Sequence, residues 1–103
     1  MAIILLENES GNTNGSIVLP TVYPMIIAVW ATSFGGGTVN LETTPDDGVT
    51  WIPITRNGVA LTYTSNMVDQ ISGLIARGMS IRATLTGSTS PSNVNAFLYD
   101  TVN

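Results

Sequence analysis

The chain of 103 residues carries three arginines, no lysine, seven carboxylates and a net charge of −4, with 44% apolar residues and neither cysteine nor histidine. That composition excludes disulfide scaffolds, thiol catalysis, Cys-ligated zinc and the usual neutral-pH base, and its acidic balance does not suit phosphate binding. Charged residues at 10%, against an ordinary ~25%, leave a surface of Thr, Ser and Asn, as expected where neighbours cover much of it or in a secreted adhesive module.

Residues 2–6 form a short apolar run that predicts a first strand, followed by a polar loop over 7–15 rich in Asn, Ser and Gly. That isolated strand belongs either to the chain's own sheet or, with residues 1–14 acting as an arm, to the sheet of a neighbouring copy. Ile3, Ile4, Leu5 and Leu6 are therefore candidate interface residues. The start of the chain has no basic region and too short an apolar run for a secretory leader. The longest apolar run, Met25 to Ala31, is far below the ~20 residues of a membrane span. The expectation is a soluble protein made in the cytoplasm.

Ser16 to Leu19 reads as a second strand, stopped by Pro20. Thr21 to Ser33 is the longest β-like stretch, and Pro24 within it belongs at an edge or bulge, because proline donates no ladder hydrogen bond. Apolar residues on both alternating faces between Met25 and Ala31 predict a strand covered on both sides. A turn over Phe34 to Gly37 leads to a hairpin. Val39, Leu41 and Thr43 alternate with Asn40 and Glu42, the turn is Asp46-Asp47-Gly48, and Val49, Thr50, Trp51 and Ile52 resume the strand.

Arg56-Asn57-Gly58 closes another hairpin of type I′ geometry, with Val59, Leu61 and Tyr63 alternating against Ala60, Thr62 and Thr64. Met67 to Ser72 fits a short strand or one helical turn, and residues 73–78 a loop or bent connection. Met79, Ile81, Ala83 and Leu85 alternate cleanly with Ser80, Arg82, Thr84 and Thr86, the clearest one-sided strand. After a loop, Val94, Ala96 and Leu98 face a core while Phe97 and Tyr99 point outward as interface candidates. Seven to nine short strands, regular turn signals and no helical period predict one domain over 1–103, an antiparallel β-sandwich or jelly-roll-like fold.

Few residues suggest chemistry. Thr44, Asp46, Gly48, Thr50 and Trp51 match the turn box of sialidase-type propellers, but one copy in so short a chain leaves only its structural role. Asp46 caps the turn, Gly48 relieves strain and Trp51 fills the core beneath. The adjacent Asp46 and Asp47 diverge in a turn, against a calcium site. Glu42, Asp69 and Asp100 are the carboxylates from which a glycosidase pair would be drawn, and Trp30, Trp51, Tyr23 and Tyr63 are the aromatics from which a sugar-stacking platform would be built. The scattered Arg56, Arg77 and Arg82 argue against a nucleic-acid stripe. No catalytic residue, metal ligand or cofactor is expected.

Residues 37–54, Leu61 and the segment Ile81-Arg-Ala-Thr-Leu-Thr-Gly through Tyr99 together resemble small β-sandwich modules of tailed-bacteriophage virions, over roughly residues 26 to 99. Such modules occur among capsid decoration (cement), head-fibre and tail-associated proteins. The resemblance implies a non-enzymatic virion structural protein, often trimeric, gripping the major capsid protein or another virion protein, with no nucleic acid or membrane as partner. Capsid decoration is the leading role it implies. A tail- or fibre-associated or carbohydrate-binding module is the alternative.

Overall fold

A computed structural model of the chain describes residues 2–20, 23–76 and 78–100. Thr21 and Val22 of the long β-like stretch and Arg77 of the 73–78 connection lie outside the described residues. Every regular element among the described residues is a strand: β1 (Ala2–Glu9), β2 (Thr13–Asn14), β3 (Ile26–Trp30), β4 (Thr38–Thr43), β5 (Ile52–Pro53), β6 (Thr55–Arg56), β7 (Val59–Ala60), β8 (Thr62–Tyr63), β9 (Met67–Gln70), β10 (Ile81–Thr86) and β11 (Val94–Tyr99). All pairings are antiparallel. The all-β, sandwich-like fold is as the alternation predicted. The number of strands exceeds seven to nine because five of them are two-residue ladders.

Two sheets share one core. Sheet A has the order β1-β11-β3-β9, and sheet B the order β2-β10-β4-β5 with β8 also on β4; β6 and β7 form a separate ribbon. Period-two side chains close the interior. Ile27, Val29, Ala96 and Leu98 from sheet A meet Val39, Leu41, Ile81, Ala83 and Leu85 from sheet B, all essentially without exposure. Ile71 and Ile75, from the connection after β9, plug the same core.

The chain crosses between the sheets at Gly15. Its N–H donates to the Ala83 carbonyl of sheet B at 2.8 Å, and the next N–H, of Ser16, donates to the Leu5 carbonyl of sheet A at 3.1 Å. A side chain would not fit there, so glycine's missing Cβ is what lets the two sheets be joined.

Several expectations are corrected. The polar stretch 7–15 is not all loop: β1 runs to Glu9 and β2 follows. It continues because two register shifts, between Ile4 and Leu6 and between Leu6 and Glu9, absorb extra residues against β11. The first bulge turns both Leu5 and Leu6 inward, so these two are core residues and not interface residues. Within the single chain described, β1 lies antiparallel against β11. Ser16 to Leu19 makes only an isolated bridge, Val18 to Ile81, with Ile17 and Leu19 exposed. Pro24 precedes β3, where no ladder donor is required of it. Met67 to Gln70 is a strand, and the Asn57-Gly58 hairpin is present, with φ of 53° and 80° at its two turn residues, as type I′ geometry requires.

Candidate functional site

The turn residues singled out in the sequence form a closed hydrogen-bonded unit. Thr44 Oγ1 donates to Asp46 Oδ1 at 3.0 Å and accepts the Gly48 N–H at 2.8 Å, while Asp46 Oδ1 accepts the Thr50 N–H at 2.7 Å. Bonds to Thr50, its hydroxyl first and then its N–H, hold the Asp46 carboxyl below the usual range. This unit also explains why Val49, Thr50 and Trp51 are not strand, contrary to expectation. The two side chains take the N–H of Gly48 and that of Thr50, so pairing to β4 resumes only at Ile52 and Pro53.

Trp51 does not fill the core. Pro53 lies opposite Glu42 on the outer side of sheet B, so Trp51, two residues earlier, shares that side; Ile54 turns inward instead. The indole rests on Arg82, whose guanidinium carbon lies 4.3 Å from the ring centroid and whose Nε donates to Glu42 Oε1 at 2.9 Å. The rest of that outer face is a self-satisfied amide and hydroxyl ladder, in which Asn40 Nδ2 donates to Thr84 Oγ1 at 3.1 Å and Thr86 Oγ1 at 3.0 Å. Sheet B is thus polar outside and apolar inside, as an antiparallel sheet with one wet face should be.

Sheet A breaks this rule. Residues opposite one another across a ladder share a face. One outer row runs Ile4, Phe97, Ala28, Val68 across all four strands, and the next runs Ala2, Tyr99, Ile26, Gln70. Trp30 ends the face, 5.0 Å from Phe97 between ring centroids. Neither row contains a charged residue. Ile4 is 43% exposed, Trp30 38% and Val68 71%. The continuous apolar run of β3, expected to be covered on both sides, is covered by its own chain on the inner side alone; Ile27 and Val29 are buried while Trp30 stands in solvent.

Phe97 and Tyr99 therefore occupy the outward positions the sequence assigned them, half-buried among Ile4, Ile26 and Ala28, while Ile3 is partly buried against the core. Trp30, Ile26 and Val68 were missed as members of the face. The signal for them was the double-sided apolarity of residues 26–30, which states that the outer side needs a cover without saying whose.

Comparison with protein-family models, with curated proteins and with solved structures returned no match.

The other sequence candidates do not assemble. Glu42 stands on the outer face of sheet B against Arg82, whereas Asp69 faces the interior, accepting from the Tyr63 hydroxyl at 2.9 Å and from Arg56 Nη1 and Nη2 at 3.3 Å. These two carboxylates lie on opposite sides of sheet B, and Asp100 follows β11 in sheet A. Burial first, and then donation to Asp69, raises the Tyr63 phenol above the ordinary tyrosine range. Arg56 additionally bonds the Gln70 carbonyl, so the cluster ties the β6–β7 ribbon and β8 to the edge strand β9. The four aromatics do not form one platform, since Trp30 and Trp51 stand on the outer faces of different sheets and Tyr63 is buried. Among the described residues no group of three or more His, Cys, Asp or Glu side chains could hold a metal.

Proposed function

We propose that the protein is a non-enzymatic structural module that docks into a larger assembly through the outer face of sheet A, and that this assembly is a virion shell in which it acts as a capsid decoration protein. The observation that carries the docking reading is the pair of uncharged rows across all four strands of sheet A, apolar except for Gln70 and the Tyr99 hydroxyl and facing away from the core, beside a second sheet whose outer face satisfies itself. Exposed apolar patches of this continuity on soluble proteins mark association sites. The resemblance of residues 26–99 to phage virion modules directs the reading to a shell.

The mechanism is mechanical. Burying the Phe97 and Tyr99 rows against a shell subunit removes apolar area from water at about 25 cal/mol per Å². A face with no charge incurs no ion desolvation on docking. Repetition over a lattice adds these increments across the seams between subunits.

Val68→Glu tests this. Val68 is exposed, so the substitution should change unfolding free energy by no more than about 0.5 kcal/mol while placing a carboxylate at the β9 end of the apolar row. The parent protein should co-sediment with virus heads prepared without it and raise their disruption temperature; the variant should do neither. A variant that binds heads like the parent would remove sheet A from the interface. A parent protein that never binds heads would remove the shell.

A further inference from the structure

At the Trp30 end of sheet A the surface changes character. A depression of about 440 Å³ is lined by Asn8, Trp30, Ala31, Thr32, Asn93 and Asn95. Its walls are three carboxamides, a hydroxyl, a methyl and an indole, with no charged side chain among them. We infer that this depression is a binding site for a neutral saccharide, with the Trp30 ring as the stacking surface and Asn8 and Asn93 as the hydroxyl-reading groups. The inference is independent of the docking reading above.

The construction of the site is specific. Between Leu6 and Glu9, β1 carries one residue more than β11 does between Ala96 and Val94. The bulge places Asn8 beside Asn95, whose other cross-strand neighbour is Trp30. Asn95 is almost fully buried although it points to the outer face. Its Oδ1 takes the Asn8 N–H at 2.9 Å in place of a ladder carbonyl, and its Nδ2 donates to the Asn93 carbonyl at 2.9 Å. One buried amide thus clamps the backbone of both other asparagines.

Both clamped residues are left-handed, Asn8 at φ 50° and Asn93 at φ 53°. Backbone held in that region by a non-glycine residue gathers at functional sites. The Asn93 Nδ2 donates to Thr32 Oγ1 at 3.2 Å, closing one end of the depression. The Asn8 side-chain amide has no hydrogen-bond partner among the described residues, and Phe97 supports the indole from the side at a tilt of 53°.

This set matches the chemistry of a pyranose. The apolar C–H face of a sugar ring lies on an aromatic surface, and a carboxamide both donates and accepts, so one Asn can address two neighbouring hydroxyls. A few convergent polar groups beside an aromatic wall are what a small-ligand site requires. The absence of cations from the lining selects against sialylated, sulfated or phosphorylated ligands, and the open, shallow shape implies millimolar affinity for one or two residues of a glycan.

The test uses the full chain, isotopically labelled, titrated with lactose, cellobiose and diacetylchitobiose while amide and indole N–H signals are followed by NMR. At least one of the three should move the Trp30 indole and the Asn8 amide, and the Trp51 indole should stay in place. Trp30→Ala should weaken that binding about tenfold or more. Asn8→Gly keeps the left-handed backbone and its N–H bond to Asn95 but removes the amide. It should weaken binding about threefold or more without lowering the melting temperature. Val68→Glu should bind saccharide like the parent, which separates this site from the docking face. A Trp30 indole unmoved by all three sugars, unchanged binding in both Trp30→Ala and Asn8→Gly, or adenosine moving Trp30 while the sugars do not, would each overturn the assignment.

Discussion

Replacing Gly15 by alanine probes the junction on which the two-sheet architecture rests. A Cβ at this position would stand 2.7 Å from the Ala83 carbonyl oxygen, 2.9 Å from Leu6 Cδ2, and closer still to the Leu5 carbonyl oxygen. The two oxygens belong to β10 and β1, strands of different sheets, so neither can retreat without disturbing its ladder. The same oxygens accept the N–H groups of Gly15 and Ser16. Room for the methyl group is made only by parting the sheets or breaking those bonds. Two hydrogen bonds at about 1 kcal/mol each, with overpacking at about 1–3 kcal/mol, give a loss of roughly 3–5 kcal/mol. That is a large fraction of the 5–15 kcal/mol of an ordinary domain. At about 4–8 °C per kcal/mol for a chain near this size, the melting temperature should fall by roughly 12–40 °C in differential scanning calorimetry. Gly11→Ala is the matched control. Nothing lies within 4 Å of a Cβ at Gly11, so it should leave stability unchanged or raise it by about 0.4–1 kcal/mol through the unfolded state. A Gly15→Ala protein that melts within a few degrees of the parent would show that the sheets are not joined in this way.

Two other perturbations follow from the polar clusters. Asp46 has a folded pKa below its ordinary value of 3.8, so its contribution is complete above that value and disappears as pH falls through the lower, folded one; Asp46→Ala should lower the melting temperature at pH 7 and lose that deficit in strong acid, and a deficit that persists there would assign the turn's stability to something other than the carboxylate. Tyr63→Phe removes the buried hydroxyl that donates to Asp69, and urea unfolding should report a loss of roughly 1–2 kcal/mol with the β6–β7 ribbon loosened in hydrogen exchange; a neutral result would leave Arg56 as the sole tie to β9.

Where alternation was one-sided, the sequence was a sufficient guide. Ile81, Ala83 and Leu85 are core and Arg82 is not, because a period of two has a single consistent burial, and Val94, Ala96 and Leu98 followed the same logic. Legibility failed where a local hydrogen bond competed with the ladder. The side chains of Thr44 and Asp46 bond the N–H groups of Gly48 and Thr50, and this shifted Trp51 from the expected core to a perch over Arg82. It failed again at β1, since a bulge is invisible to period counting and moved Leu5 and Leu6 inward together. The apolar outer face of sheet A was half legible: Phe97, Tyr99 and Ile4 were named from their own segments, but Ile26 and Val68 join them only through pairings with distant segments. The asparagine cluster at Trp30 was not legible at all. Asn8 and Asn93 look like loop residues, and Asn95 like one more outward strand residue, until β1 is laid against β11.

The pairing of β1 with β11 also sets a timetable for the molecule's birth. Ala2 has no partner until Tyr99 has been made, and β3 waits for the same strand on its other side. At about 5–20 residues per second, the ribosome exposes an apolar N-terminal segment for several seconds before the strand that shelters it exists. Sheet B meanwhile has most of its ladder available as soon as β10 emerges. Assembly of sheet A therefore waits for β11, and the nascent chain in that interval is a substrate for chaperones that hold extended apolar segments.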